Sequence, residues 1–264
     1  MSFVGSTKVA KVVYRRATAT LKRALCLGGA KNHLIVMPDA DLEMASTNIV
    51  ASMSGCAGQR CMAASVMIAV QNVDHIIRRM CEHASAMVVG RDLGPVISGE
   101  AKARIIRYID EAEAAGAKVL VDGRGATVAG REGGYWLGPT IIDYVTPEMR
   151  IAQDEVFGPV LAIVRARDVD EALKVENASP YGNAASVFTE SGGVARRVME
   201  GASAGMVGVN VGVPVPREPF SFGGWNDSRF GVGDITGRGS IEFWTQAKKM
   251  TTKWNREAGT NWMS

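Results

Sequence analysis

No run of apolar residues in this 264-residue chain approaches the roughly 20 needed to span a bilayer, so no membrane-crossing helix is expected. The first residues also lack the layout of a secretion signal, because Lys8, Lys11, Arg15 and Arg16 interrupt any apolar segment. Histidine is scarce, at three residues (His33, His75, His83). The four cysteines, Cys26, Cys56, Cys61 and Cys81, fall at no metal-finger spacing, so no metal centre is expected. Free thiols in a reducing compartment are the simplest reading. Charge of one sign is also missing. The net charge is +3, and Arg15-Arg16, Arg78-Arg79 and Arg196-Arg197 are isolated pairs within amphipathic patterns. Such pairs read as solvated helix faces, so nucleic acid is not an expected partner. There is no fixed-period repeat and no low-complexity tract.

What is present suits a globular protein. The hydrophobic fraction is 47% and the charged fraction 22%, enough for a sizeable core in one large domain or two. Helical spacing predicts helices over residues 9–24, 41–53 (capped by Asp41), 73–87, from Ser98 onward, 169–177 and 193–201. Apolar runs predict strands over 34–37, 65–70, 118–121, 140–145, 160–164, 184–188 and 206–211. This alternation predicts an α/β fold with a largely parallel sheet covered by helices. Residues 123–138 read as an exposed Gly-rich loop, and 214–234 as a long ordered loop near a site. Residues 243–254, which mix aromatic and basic side chains, read as a strand on a sheet edge that could add to a partner.

Chemistry is concentrated at Gly58-Gln59-Arg60-Cys61. The string lies between a predicted helix, a turn of small residues (54–57) and a predicted buried strand. A thiol at such a junction can face a substrate, and the glycines allow backbone to come close to a reacting group. A nucleophilic thiol needs surroundings that lower its pKa; Arg60 and nearby backbone N–H groups are the candidate sources. A small, buried, inert cysteine is the commoner outcome for such a string taken alone.

Further strings change that balance. Phe3-Val4-Gly5-Ser6-Thr7, Leu27-Gly28-Gly29-Ala30-Lys31-Asn32, Gly58-Gln59-Arg60-Cys61, Asp154-Glu155-Val156-Phe157-Gly158-Pro159 and Phe222-Gly223-Gly224 follow in this order. In that order they resemble the aldehyde dehydrogenase superfamily from residue 2 to about residue 254. Residues 29–33 (Gly-Ala-Lys-Asn-His), 58–63 (Gly-Gln-Arg-Cys-Met-Ala) and 243–248 (Phe-Trp-Thr-Gln-Ala-Lys) resemble its CoA-acylating methylmalonate-semialdehyde and malonate-semialdehyde branch. Family members are nearly twice this length. The resemblance starts near the end of their nucleotide-binding domain, so the sequence reads as a shortened gene product or a fragment.

The resemblance implies the following roles. Cys61 would be the nucleophile, with its backbone N–H one of the oxyanion donors. Arg60 would bind the substrate carboxylate through its planar fork. Glu155 would accept hydrogen bonds from the nicotinamide ribose hydroxyls of NAD, and Phe157 would pack beside the ring. Gly5 and Ser6 would lie near the pyrophosphate at a helix start; Ala10 stands where the family motif has a further glycine. Hydrolytic members carry a Glu before Leu-Gly-Gly as base for the deacylating water. Cys26 stands there in this sequence, which fits release of the acyl group to the thiol of coenzyme A, beside a plain packing role for Cys26. His33 reads as an ordinary core or surface residue, and Asn183 and Phe222 as borders of a substrate tunnel without a catalytic role.

The expected organisation is a remnant of the NAD-binding domain over 1–30, a catalytic domain over 31–235, and a return segment with an oligomerisation strand over 236–264. The expected activity is NAD-dependent, CoA-acylating oxidation of malonate or methylmalonate semialdehyde through a Cys61 thioester. The alternatives are an inactive, truncated paralogue or interaction subunit, and a generic NAD(P)-dependent aldehyde dehydrogenase. A homo-oligomer is expected, with no nucleic-acid or membrane partner, in the cytoplasm or, in a eukaryote, the mitochondrial matrix.

Overall fold

A computed structural model describes residues 1–254 of the chain. Its elements, in chain order, are β1 (Ser2–Val4), α1 (Thr7–Thr18), β2 (Leu25–Leu27), β3 (Asn32–Val36), α2 (Leu42–Ser54), β4 (Ala64–Val70), α3 (Asp74–Ser85), α4 (Gly99–Ala114), β5 (Lys118–Val121) and β6 (Thr140–Asp143). There follow α5 (Arg150–Gln153), β7 (Val160–Ala166), α6 (Val169–Asn177), β8 (Tyr181–Gly182), β9 (Ala184–Phe188), α7 (Gly192–Gly201), β10 (Met206–Val209), β11 (Trp225–Asn226), β12 (Arg229–Gly231) and α8 (Gly237–Trp244).

The main sheet has the order β10-β9-β3-β4-β7-β6-β5, and each neighbouring pair is parallel except β5 against β6. Its strands read as nearly continuous apolar runs because helices cover both faces. Alternate residues go to opposite sides. Val66, Ile68 and Val70 of β4, with Val160, Ala162 and Val164 of β7, pack with Ile105, Ile109, Ala172 and Val198 from the α4, α6 and α7 layer. Met67, Ala69, Leu161 and Ile163 pack with Ile49, Met53, Ile76 and Met80 from α2 and α3. The predicted α/β architecture with its mostly parallel sheet is therefore present.

A second, smaller sheet, β1-β2-β12, carries α1. β1 runs parallel to β2, whereas β12 arrives antiparallel from far along the chain. The first 27 residues thus complete their sheet with residues 229–231. Phe243 of α8 closes its core against Leu25 and Leu27.

The structure differs from the sequence reading in several places. The segment read as a loop over 214–234 carries the short strands β11 and β12, which form only by pairing with the distant β8 and β2. The first helix stops at Thr18 rather than reaching residue 24. Leu21 adopts a left-handed φ of 59°, and the N–H of Lys22 reaches back to the carbonyl of Ala17, which closes the helix end. The edge strand read over 243–254 is the end of α8, followed over 245–254 by chain without a strand. Strand periodicity needs a pairing edge, and no other segment among the described residues supplies one there. The rest of the predicted oligomerisation segment, 255–264, lies outside the described residues. Trp136 and Leu137, within the loop expected to be exposed, are buried. Among the described residues no helix is long and apolar enough to cross a membrane.

Candidate active site

The chain between α2 and β4 turns through three successive left-handed residues, Cys56 (φ 55°), Ala57 (φ 53°) and Gly58 (φ 68°). The first two carry a steric cost that glycine avoids, about 1–2 kcal/mol each. At Gly58 there is a second constraint: an added Cβ would sit 2.0 Å from the carbonyl oxygen of Gly158. The 154–159 loop therefore rests directly on this turn. Gln59 fastens the other side, accepting the N–H of Ile97 at 2.8 Å and donating to the carbonyls of Cys56 and Pro95.

This turn delivers Cys61 into a recess lined also by Ala30, Asn32, Arg60, Glu155, Val156 and Phe157. Its apolar flank is Met62, Met206, Val213 and Phe222. Two carboxamides meet at the Cys61 carbonyl: Asn32 Nδ2 donates at 2.7 Å and Asn183 Nδ2 at 2.9 Å. The sequence reading assigns neither amide this role. An Asn beside the Gly-Ala-Lys string is the only signal it offers, and nothing in one dimension shows where that amide points.

The expected lowering of the Cys61 pKa is not what the surroundings produce. Burial pushes the thiol up and dominates; its own backbone N–H and Arg60 pull it down, and Glu155 pushes it up again. Arg60 lines the recess but is docked on the end of α2, where its guanidinium donates to the carbonyls of Ser52 at 3.0 Å and Ala51 at 3.3 Å and lies against Gly55. Its Nε is buried and has no hydrogen-bond partner among the described residues.

Glu155 accepts the N–H of Ala30 at 3.0 Å through one oxygen. The other lies beside Gly29, where a Cβ would be 2.6 Å away. Burial raises the Glu155 carboxyl pKa, while the Ala30 N–H, Lys31 and Arg104 act against it. Lys31 is itself buried, donates to the Asp154 carbonyl at 2.8 Å, and is pushed down to about 7 by desolvation despite Glu155 and Asp154. Phe157 is partly exposed at a φ of 55°.

Gly5 and Ser6 lead into α1. The side chain of Ser6 makes no capping bond, so the first amides of the helix keep their donors. Thr7 connects this helix start to the recess: its Oγ1 accepts the N–H of Gly29, and Gly29 touches Glu155. Of the six residues singled out from sequence, Arg60, Cys61, Glu155 and Phe157 line this recess, whereas Gly5 and Ser6 precede α1, outside the lining of the recess. Cys26 does not line it. That thiol is buried in β2 opposite Phe3 and Phe230, and burial raises its pKa.

The model of the Aldehyde dehydrogenase family matches residues 1–250. A malonate-semialdehyde dehydrogenase of Bacillus thuringiensis is 45% identical over 263 residues, covering 97% of this chain and 54% of that protein. The chain belongs to the aldehyde dehydrogenase family. Among solved structures of this family, the methylmalonate-semialdehyde dehydrogenase of Oceanimonas doudoroffii superposes with a TM-score of 0.93 at 42% identity, over 97% of this chain and 54% of that one. A Sinorhizobium meliloti protein provisionally assigned the same activity, solved in complex with NAD, gives 0.94 at 43% identity with the same coverage. The chain spans about half the length of the family members it matches.

Proposed function

We propose that this chain carries the nucleophile-bearing part of an NAD-dependent, CoA-acylating malonate- or methylmalonate-semialdehyde dehydrogenase. The observation that carries the reading is Cys61, held by its carbonyl in a recess that it shares with Arg60, Glu155 and Phe157. The Cys61 thiolate adds to the aldehyde carbon, and the Cys61 N–H donates to the oxygen that becomes negative. NAD, when bound, would accept the hydride that leaves this carbon. The malonyl or methylmalonyl thioester left on Cys61 then loses its carboxylate as CO2, the C–C electron pair taking up a proton, to leave an acetyl or propionyl thioester. Coenzyme A thiol attacks the thioester carbonyl, the C–S bond to Cys61 breaks, and the thiolate of Cys61 is regenerated. Arg60 would leave the α2 carbonyls to pair with the substrate carboxylate.

The residues present fit NAD at two places. The free Oε2 of Glu155 can accept from ribose hydroxyls. The uncapped start of α1 offers N–H groups to a pyrophosphate. The buried Cys26 offers no base for water, which supports release to a thiol over hydrolysis.

The reverse half-reaction tests this without hydride transfer. Acetyl-CoA or propionyl-CoA should acylate Cys61 and release free CoA, as read by peptide mass, and Cys61→Ala should abolish the adduct. Acylation of Cys56 or Cys81 in its place, or of no cysteine, would overturn the reading. NADH formation from malonate semialdehyde, dependent on added CoA, tests the remaining half.

A further inference from the structure

We infer that Asn32 and Asn183 are paired positioning residues that hold the Cys61 peptide so that its own N–H faces its sulfur. The inference rests on the reading of Cys61 as nucleophile. Asn32 leads β3, and Asn183 sits between β8 and β9. Both side chains are buried, at 5% and 7% exposure. They approach from separate segments of the chain, and their NH2 groups converge on one carbonyl, at 2.7 and 2.9 Å. Asn32 Nδ2 also donates to the Ala63 carbonyl at 2.8 Å, so it spans the residues on both sides of Met62. Asn183 Nδ2 lies 3.4 Å from Asn32 Oδ1 and 3.1 Å from Met62 Sδ, so the two amides also hold each other.

A carbonyl bonded twice in a buried site cannot rotate without stranding two donors, at a cost of about 1–3 kcal/mol for each. Fixing that carbonyl holds the Cys61–Met62 peptide plane and so restrains ψ of Cys61, which together with the turn across Cys61 and Met62 limits how its N–H and Cβ can lie. The backbone contributes this turn, in which the Ala63 N–H donates to the Arg60 carbonyl at 3.1 Å. The two amides add to it by bonding the Cys61 carbonyl itself, which that turn does not engage. The held N–H favours the thiolate against the desolvation around it. The other charged groups facing the sulfur are Arg60, which assists, and Glu155, which opposes.

The test uses the chain itself, in Asn183→Leu (side-chain volume kept, donors removed) and Asn183→Ala, with thermal melts to confirm folding of each. Cys61 alkylation by iodoacetamide is followed by peptide mass from neutral to alkaline pH, with exposed Cys56 as internal reference. In either variant that folds, we expect Cys61 to react roughly three- to tenfold more slowly at neutral pH, the span of one lost hydrogen bond. Its rate–pH profile should move upward by about half a unit or more, while Cys56 is unchanged. A side chain that served only as packing would lower the melting temperature and leave the profile in place. An unchanged profile in the variants, with a reactive Cys61 in the parent chain, overturns the positioning role alone. A parent Cys61 that neither alkylates nor exchanges acyl groups with acetyl-CoA overturns the nucleophile reading and this inference together.

Discussion

Gly58 shows how one missing methyl can hold a site together. Its φ of 68° and the 2.0 Å that would separate an added Cβ from the Gly158 carbonyl oxygen act in the same direction. Gly58→Ala should therefore destabilise the chain by about 3 kcal/mol and displace the loop bearing Glu155, which calorimetry and the loss of acyl exchange would register. The cysteines order themselves by access and burial. Cys56 is exposed, whereas burial beside Asp143 and Glu82 pushes Cys81 up to about 11. Cys81 should alkylate slowly at neutral pH, and Cys61 should speed up steadily with rising pH, because its thiol is raised rather than lowered. His33 gives a stability prediction. Burial and the nearby Lys31 push it down to about 3, from an ordinary 6.5 in the unfolded chain. Between those values the unfolded state binds the extra proton, so stability is intact above about pH 6.5 and falls by about 1.4 kcal/mol per unit as pH decreases. Urea midpoints at pH 7 and pH 5 should diverge in the parent chain and less so in His33→Gln.

At the scale of elements, the pairing of β6 with β7 depends on a charge that water barely reaches. Asp143 ends β6 with its side chain only 4% exposed, and Arg165 of β7 grips both its oxygens, at 3.0 and 2.6 Å. Arg165 also reaches Asp74 at the start of α3 and covers the ring of Tyr144. Removing the cation leaves Asp143 buried and unpaired, so Arg165→Ala should cost about 3 kcal/mol. Asp74→Ala removes an exposed partner and should cost under about 1 kcal/mol. Chemical denaturation of the two variants separates these cases; equal losses would show that Asp143 is solvated despite its burial.

At the scale of the whole molecule, the small sheet leaves apolar surface uncovered. Val9 and Val12 on α1 are each 45% exposed, and Leu21 beyond its end is 97% exposed. Among the described residues β1 has one free edge, since its only neighbour is β2. Exposed apolar faces beside open edges favour association. We expect a dimer or larger species at micromolar concentration, shifted toward monomer by Val9→Ser with Val12→Ser, as light scattering coupled to size exclusion would show. A monomeric parent chain would remove this expectation. NAD should bind this chain more weakly than it binds full-length family members. Among the described residues, the groups proposed to meet it are Glu155, Phe157 and the start of α1, and calorimetric titration can measure the difference.

The sequence by itself determined the strands of the main sheet, most of the helices that cover it, and their kind of layering. Apolar runs in β3, β4 and β7 bounded by amphipathic helices leave few ways to bury both faces of a sheet except a parallel sheet between helix layers. It also marked Cys61, Arg60, Glu155, Phe157, Gly5 and Ser6, because motif order survives in one dimension. Only the tertiary structure decided which groups meet. Asn32 and Asn183 lie 151 positions apart and converge on one carbonyl. Strand β12 joins β2 from the other end of the chain. The thiol of Cys61 is raised although an arginine precedes it, because its charge is set by the depth of the recess and by where the Arg60 guanidinium docks. Desolvation and hydrogen-bond direction are properties of three-dimensional neighbours, and no local pattern of residues encodes them.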